Sequence, residues 1–144
     1  MTIRDATPAD LDEIFSLVHE LAEYEREPDS VVFENEEFAR HLFGTDPVAH
    51  ALIAEHDGAV AGMAVYYRTF STWQGRDGIW LEDLFVREQY RRHGYGRAFL
   101  DELRTRTDGL IEWMVLDWNE PAHAFYRSIG AAPVEPWTIW RWEG

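Results

Sequence analysis

RRHGYGRAFLDEL, Arg91 to Leu103, is the stretch whose reading decides the fold. Gly94 and Gly96 let backbone N–H groups come close to an anion, and the helix that follows points the positive end of its dipole at the same place. Arg91, Arg92 and Arg97 add positive charge. Together these residues describe a pyrophosphate seat. Two other phosphate motifs fail here. A P-loop needs a lysine, and the chain has none; a dinucleotide fingerprint needs a third glycine where Phe99 stands, with the glycines directly after a strand. The competing reading is a glycine-rich helix start that holds no ligand.

The strand expected just before it is IWLEDLFV, Ile79 to Val86. A period of two places Ile79, Leu81, Asp83 and Phe85 on one face and Trp80, Glu82, Leu84 and Val86 on the other. Each face thus carries one carboxylate among apolar neighbours. A carboxylate in that setting must be paired, wetted or raised in pKa, and a raised pKa suits a general base; pairing with an arginine or capping a loop is the structural alternative. After the glycine loop comes LDWNEPAHAFYRSIGA, Leu116 to Ala131. Asn119 and Tyr126 are seven residues apart, close to two helical turns, so they line the same side of a helix beginning there. A capping Asn and a Tyr packed on the sheet would be the structural reading of the same pair.

The remaining elements follow from period and caps. TIRDA reads as a short strand, and Thr7, Pro8 and Asp10 open a helix that runs to Tyr24 with Leu11, Ile14, Phe15, Leu17, Val18 and Leu21 on its apolar side. Asn35, Glu36 and Glu37 mark a second capped helix start. AHALIAEH and AVAGMAVYYR, joined at Asp57-Gly58, form a hairpin. LIEWMVL, Leu110 to Leu116, is a further strand, and Ala132 to Trp142 is a hairpin-like tail. The order βααβββαβαββ implies an α/β fold, and the absence of repeats or linkers implies one domain over residues 1–144.

Composition removes several function classes. The 144 residues carry 27 acidic and 13 basic side chains, a formal charge of -14, so binding to nucleic acid or to an anionic membrane as the main function is disfavoured and cationic partners are favoured. Every basic residue is Arg, which excludes lysine Schiff-base chemistry, and zero Cys excludes disulfides and acyl-cysteine intermediates. The six His show no ligand spacing, so no metal is assigned. No membrane span or signal peptide is apparent, and a cytoplasmic protein is expected.

R-R-H-G-Y-G, lying between LEDLFV and NEPAHAFYRSIGA, resembles the R/Q-x-x-G-x-G/A signature of the GNAT N-acetyltransferases, and its flanks are similar to the spermidine/spermine and thialysine branch. The resemblance runs from the first strand to the last. It implies a GNAT fold with a mixed, mostly antiparallel central sheet and helices on both faces. It implies acetyl-CoA as donor and direct transfer to an amine. Leu84, Phe85 and Val86 would meet the pantetheine arm, and Arg91, Arg92, His93, Gly94, Tyr95, Gly96 and Arg97 the pyrophosphate. Asn119, Pro121 and Ala122 would also touch the cofactor. Tyr126 matches the general acid that protonates the departing thiolate, and Glu82 the acid that takes the ammonium proton through water.

The acceptor implied is a small cationic amine: a polyamine, a diamine or a thialysine-like amino acid. Tyr24, Glu25, Glu82, Asp83, Glu135 and Trp137 would meet it. Ser71 stands where that branch places an acid two residues before the tryptophan matching Trp73, Pro136 replaces a glycine before Trp137, and one residue is inserted near Gly75 to Gly78. The lost acid weakens grip on a distant ammonium, and a shorter amine such as a diamine, thialysine or another amino acid then fits better than spermine. The alternatives are acetylation of another amino acid or amine metabolite, and a non-catalytic acyl-CoA-binding module. By the same resemblance two copies pair as a homodimer, with the apolar PWTIWRW tail supplying an edge.

Overall fold

The computed structural model describes residues 1–144 and divides into two compact units, Met1–Met114 and Val115–Gly144. In the first unit, β1 (Thr2–Asp5) leads into a single 3-10 turn at Pro8–Asp10 and then α1 (Leu11–Tyr24). Thr7 and Asp10 form a reciprocal capping box around Pro8. Asp10 does more than cap: Arg4 on β1 reaches both of its oxygens at 2.8 and 2.9 Å and also holds Glu55 at 2.8 Å. These bonds keep the Asp10 carboxyl below its ordinary pKa against the cost of its burial. The second helix, α2 (Asn35–Phe43), takes Glu34 as its N-cap residue, so Asn35 sits in its first turn instead of capping it.

Three antiparallel strands make the centre: β2 (His50–His56), β3 (Ala59–Ser71) and β4 (Arg76–Val86). Asp57 and Gly58 take left-handed φ values of 51° and 82°, the turn that an Asp-Gly pair at a two-residue hairpin favours. The helix α3 (Tyr95–Arg104) and the short β5 (Ile111–Glu112) follow. Sheet order is β1-β2-β3-β4-β5, with every neighbouring pair antiparallel except β4 and β5. The mixed, mostly antiparallel sheet expected from the sequence is therefore present.

Helices cover both faces of that sheet. Ile14 and Leu17 of α1 and Leu42 of α2 pack on Ala51, Ile53, Met63, Val65 and Phe85. The alternate residues Leu52, Ala54, Ala64, Ile79 and Leu81 are buried on the other side, where α3 contributes Tyr95, Phe99, Leu100 and Leu103. Arg87, directly after β4, ties this layer together. It donates to Glu13 at 2.7 Å, to Glu20 at 2.9 Å and to the Val60 carbonyl at 3.0 Å, pinning α1 to the end of β4.

One irregularity corrects the face assignment for IWLEDLFV. Val65 pairs with Asp83 and Tyr66 with Leu81, so Glu82 is an extra residue on β4, a β-bulge. Alternation restarts after it. Asp83 and Phe85 share the face of Val65 and Met63, while Ile79 and Leu81 belong to the face of α3. The expected single row of Ile79, Leu81, Asp83 and Phe85 is broken in the middle because cross-strand register, not local period, sets the face.

Two other expectations change. LIEWMVL was expected as a seven-residue strand, but only Ile111 and Glu112 pair with β4, opposite Ile79 and Trp80. Beyond Trp80 the bulge at Glu82 shifts β4 out of step, and a parallel partner loses its ladder. In the second unit, α4 (Glu120–Ser128) is present, with Asn119 as its N-cap, but the tail from Ala132 onward contains no strand. Pro133 and Pro136 remove two backbone donors from the segment. Trp140 and Trp142 are about nine-tenths exposed, and the segment that carries them is not the hairpin-like tail expected from the sequence.

Candidate active site

The glycine loop is built as the sequence suggests. Gly94 takes a φ of 83° and serves as N-cap of α3, a conformation that a side chain would strain. No side chain caps this helix and no acid lies in its first turn. The N–H groups of its first turn, which an α-helix leaves without intrahelical partners, therefore face outward with the positive end of the dipole. Arg92 precedes them in a left-handed turn, φ 66°. Arg97 pairs with Asp101 at 2.9 Å along the helix surface. The tyrosine between the two glycines, Tyr95, turns its side chain inward and is only 2% exposed, leaving its backbone N–H as the group it can offer to a ligand.

Arg91 behaves differently from Arg92. Its Nε donates to the carbonyl of Val86 at 2.8 Å. Its guanidinium carbon lies 5.2 Å from the centre of the Tyr24 ring and 5.5 Å from that of Phe85, within cation–π range of both. The two rings are themselves 6.4 Å apart. The end of α1, the end of β4 and the start of the glycine loop thus meet at one guanidinium. Because the β4–β5 ladder stops at Trp80, the backbone from Leu84 to Val86 runs on without a β5 partner, which suits a ligand that adds its own hydrogen bonds to a strand.

Beside this lies an acidic group. The bulge turns Glu82 to solvent and places Asp83 half-buried, where burial and the negative charges of Glu82 and Glu25 push its carboxyl up to about 6. Glu25, which follows the last turn of α1, is also raised by burial. Asp83 therefore feels two of the other acids expected to meet a cation, one of them, Glu25, from a distant part of the sequence. Tyr67 joins them and was not anticipated: its hydroxyl is held above its usual pKa by burial and by the charge of Glu82. The alternation of Met63, Val65 and Tyr67 along the hairpin was the available signal, since it places Tyr67 on the face of Asp83.

The second unit holds the other expected residues. Asn119 is buried and accepts a bond from the Ala122 N–H at 3.4 Å, so its side chain caps α4. Tyr126 is half-buried on the same helix, its ring 5.3 Å from that of Phe125. Trp137 is 72% exposed and Glu135 is exposed. No group of three or more His, Asp or Glu side chains is placed to hold a metal ion, and no helix is long and apolar enough to cross a membrane.

Comparison with known proteins places this geometry. Residues 11–131 match the model of the acetyltransferase (GNAT) family. The chain is 35% identical to a thialysine N-epsilon-acetyltransferase from Bos taurus, across 99% of this chain and 92% of that one. It is 26% identical to an L-ornithine N5-acetyltransferase from Arabidopsis thaliana, across 99% and 84%. An integron cassette protein from the V. cholerae mobile metagenome shares the fold, with a TM-score of 0.80, 24% identity and coverage of 99% and 92%. From its glycine loop to its bulged fourth strand, the chain belongs to the GNAT acetyltransferase family and is an N-acetyltransferase of amines.

Proposed function

We propose that the protein transfers the acetyl group of acetyl-CoA directly to the terminal amine of a small cationic acceptor. The observation that carries this reading is the set of carboxyls from Glu25, Glu82 and Asp83 gathered around the β4 bulge, with Asp83 at about 6. An alkylammonium has no free lone pair near neutral pH, so its proton must leave before it can attack a carbonyl. Three acids in one place attract the cation and give its proton somewhere to go. Glu82, exposed at the bulge, meets the ammonium and takes its proton through water; Asp83 and Tyr67 stand behind it.

The donor set fits acetyl-CoA. The uncapped first turn of α3, with Arg92 and Arg97, would hold the pyrophosphate, and the strand backbone from Leu84 to Val86 would hold the pantetheine arm. When bound, acetyl-CoA supplies an acyl group already activated as a thioester. Tyr126 donates the proton that lets the thiolate leave, and Asn119, Pro121 and Ala122 add contacts at the start of α4. Family matching runs across the boundary between the two units, which supports reading them as one catalytic domain.

Relatives that act on thialysine and on ornithine support an acceptor that is an amino acid with a terminal ammonium. Ser71, where the polyamine pattern has an acid, supports the same preference for a short acceptor over spermine, since a lost acid weakens grip on a distant ammonium. The protein is read as a cytoplasmic homodimer. Incubation with acetyl-CoA and an equimolar mixture of thialysine, ornithine, putrescine, spermidine and a neutral amine, followed by mass spectrometry, tests the reading. Acetylated thialysine, ornithine or diamine is expected. Acetylation of the neutral amine alone would overturn it.

A further inference from the structure

We propose that His56, at the end of β2, is a positioning residue for the anion seat at the start of α3, acting through the buried hydroxyl of Tyr95. This rests on the reading of that helix start as the acetyl-CoA pyrophosphate seat. Tyr95 is the first residue of α3. Its backbone N–H belongs to the seat, while its side chain reaches the end of β2. There the hydroxyl donates to the Glu55 carbonyl at 3.2 Å and lies 2.7 Å from His56 Nδ1. With its one proton directed at Glu55, the hydroxyl takes the second bond as an acceptor from Nδ1–H.

The arrangement around His56 is specific. β2 slips register between Ala54 and Glu55, leaving Ala61 of β3 as the extra residue, so strand β2 departs from the regular ladder at the residue whose carbonyl Tyr95 uses. The imidazole is packed by Tyr90 at 5.1 Å and by His93 at 5.2 Å between ring centres, both from the segment that leads into Gly94. Asp57 lies 3.6 Å from Nε2. His93 in turn approaches the carbonyls of Tyr90 and Arg91 at 3.0 and 2.9 Å. His56 therefore touches the loop on both sides of its left-handed turn. A hydroxyl fixed at two points sets the position of the first turn of α3, and hence where its N–H groups aim.

The role is separable from general packing because the ring of Tyr95 can remain while its bonds are removed. Three variants test it: His56→Ala, His56→Asn, whose amide N–H reproduces the Nδ1–H donor, and Tyr95→Phe. Acetyl-CoA affinity is measured by calorimetry, and KM and kcat are measured for His56→Ala. We expect Kd for acetyl-CoA to rise about five- to tenfold in His56→Ala and Tyr95→Phe, with recovery to within about twofold of wild type in His56→Asn. In His56→Ala the KM for acetyl-CoA should follow Kd while kcat and the amine KM stay put. Unchanged Kd, or equal losses in His56→Ala and His56→Asn, would overturn the proposal.

Amide exchange of the unliganded protein separates this from failure of the cofactor reading. Exchange at residues 95–98 should quicken in His56→Ala and not in His56→Asn. If wild type bound no acetyl-CoA, the seat would be wrong, and equal exchange in all variants would refute the positioning role independently.

Discussion

Asp83 pairs with Val65 across the β3–β4 ladder, on the face that α1 covers, because Glu82 is spliced into the strand as an extra residue. The bulge thus carries one acid into partial burial and leaves its neighbour in water. Asp83 pays in stability for that position. Its carboxyl rises from 3.8 to about 6, so the folded chain binds its proton more tightly than the unfolded chain does. Stability from this group is present in full below pH ~4 and is lost as pH rises through ~6.

Replacing that carboxyl should therefore stabilise the fold while impairing function. Asp83→Asn is expected to gain about 1–3 kcal/mol over wild type at pH 7.5 and almost nothing at pH 3.5, read from urea unfolding at both values. Acetylation should fall in the same variant. An equal stability change at the two pH values would show that burial charge is not the cause.

The capping carboxylate at the start of α1 has the opposite sign. Asp10 is buried, bonded twice by Arg4, and held below its ordinary pKa; Asp5, bonded by Arg106, is lowered too. Stability from both is present above their unfolded values and disappears as pH falls through the folded ones. Asp10→Ala should cost about 2–4 kcal/mol at neutral pH, with the difference from wild type shrinking in acid. Thermal unfolding across pH 2 to 7 checks this.

Tyr126→Phe separates binding from proton donation. If the phenol protonates the leaving thiolate, kcat should drop by about a hundredfold while acetyl-CoA affinity changes little. Steady-state kinetics with calorimetry would show it, and wild-type turnover would remove Tyr126 from the chemistry.

Gly94 tests the seat. A methyl group there meets open space except for ordinary contact with Met1, but its φ of 83° is unfavourable for any L side chain. Gly94→Ala should cost about 1–2 kcal/mol of stability and raise the KM for acetyl-CoA, as the first turn of α3 shifts to relieve strain.

What could be read without coordinates was what depends on near neighbours. Thr7 with Asp10, the end of α1 at Tyr24, the Asp57-Gly58 turn and the Gly94 helix start are all settled within a few residues, and each is found where the local pattern put it. The bulge at Glu82 is not local, since it exists only relative to Val65 and Tyr66 on another strand. The shift on Asp83 depends on Glu25, and the bond between Tyr95 and His56 joins residues 39 apart. The tail misled because its apolar, tryptophan-rich run PWTIWRW reads like a strand, whereas Pro133 and Pro136 remove donors that a ladder needs.

The most direct test is release of CoA thiol by the wild-type protein, followed continuously with acetyl-CoA and one amine at a time. Thialysine, ornithine and short diamines should support turnover with higher kcat/KM than spermine, and neutral amines should give the uncatalysed rate. Turnover on neutral amines alone, or none on any cationic amine, would contradict the assignment of the carboxyls at the β4 bulge to a cationic acceptor.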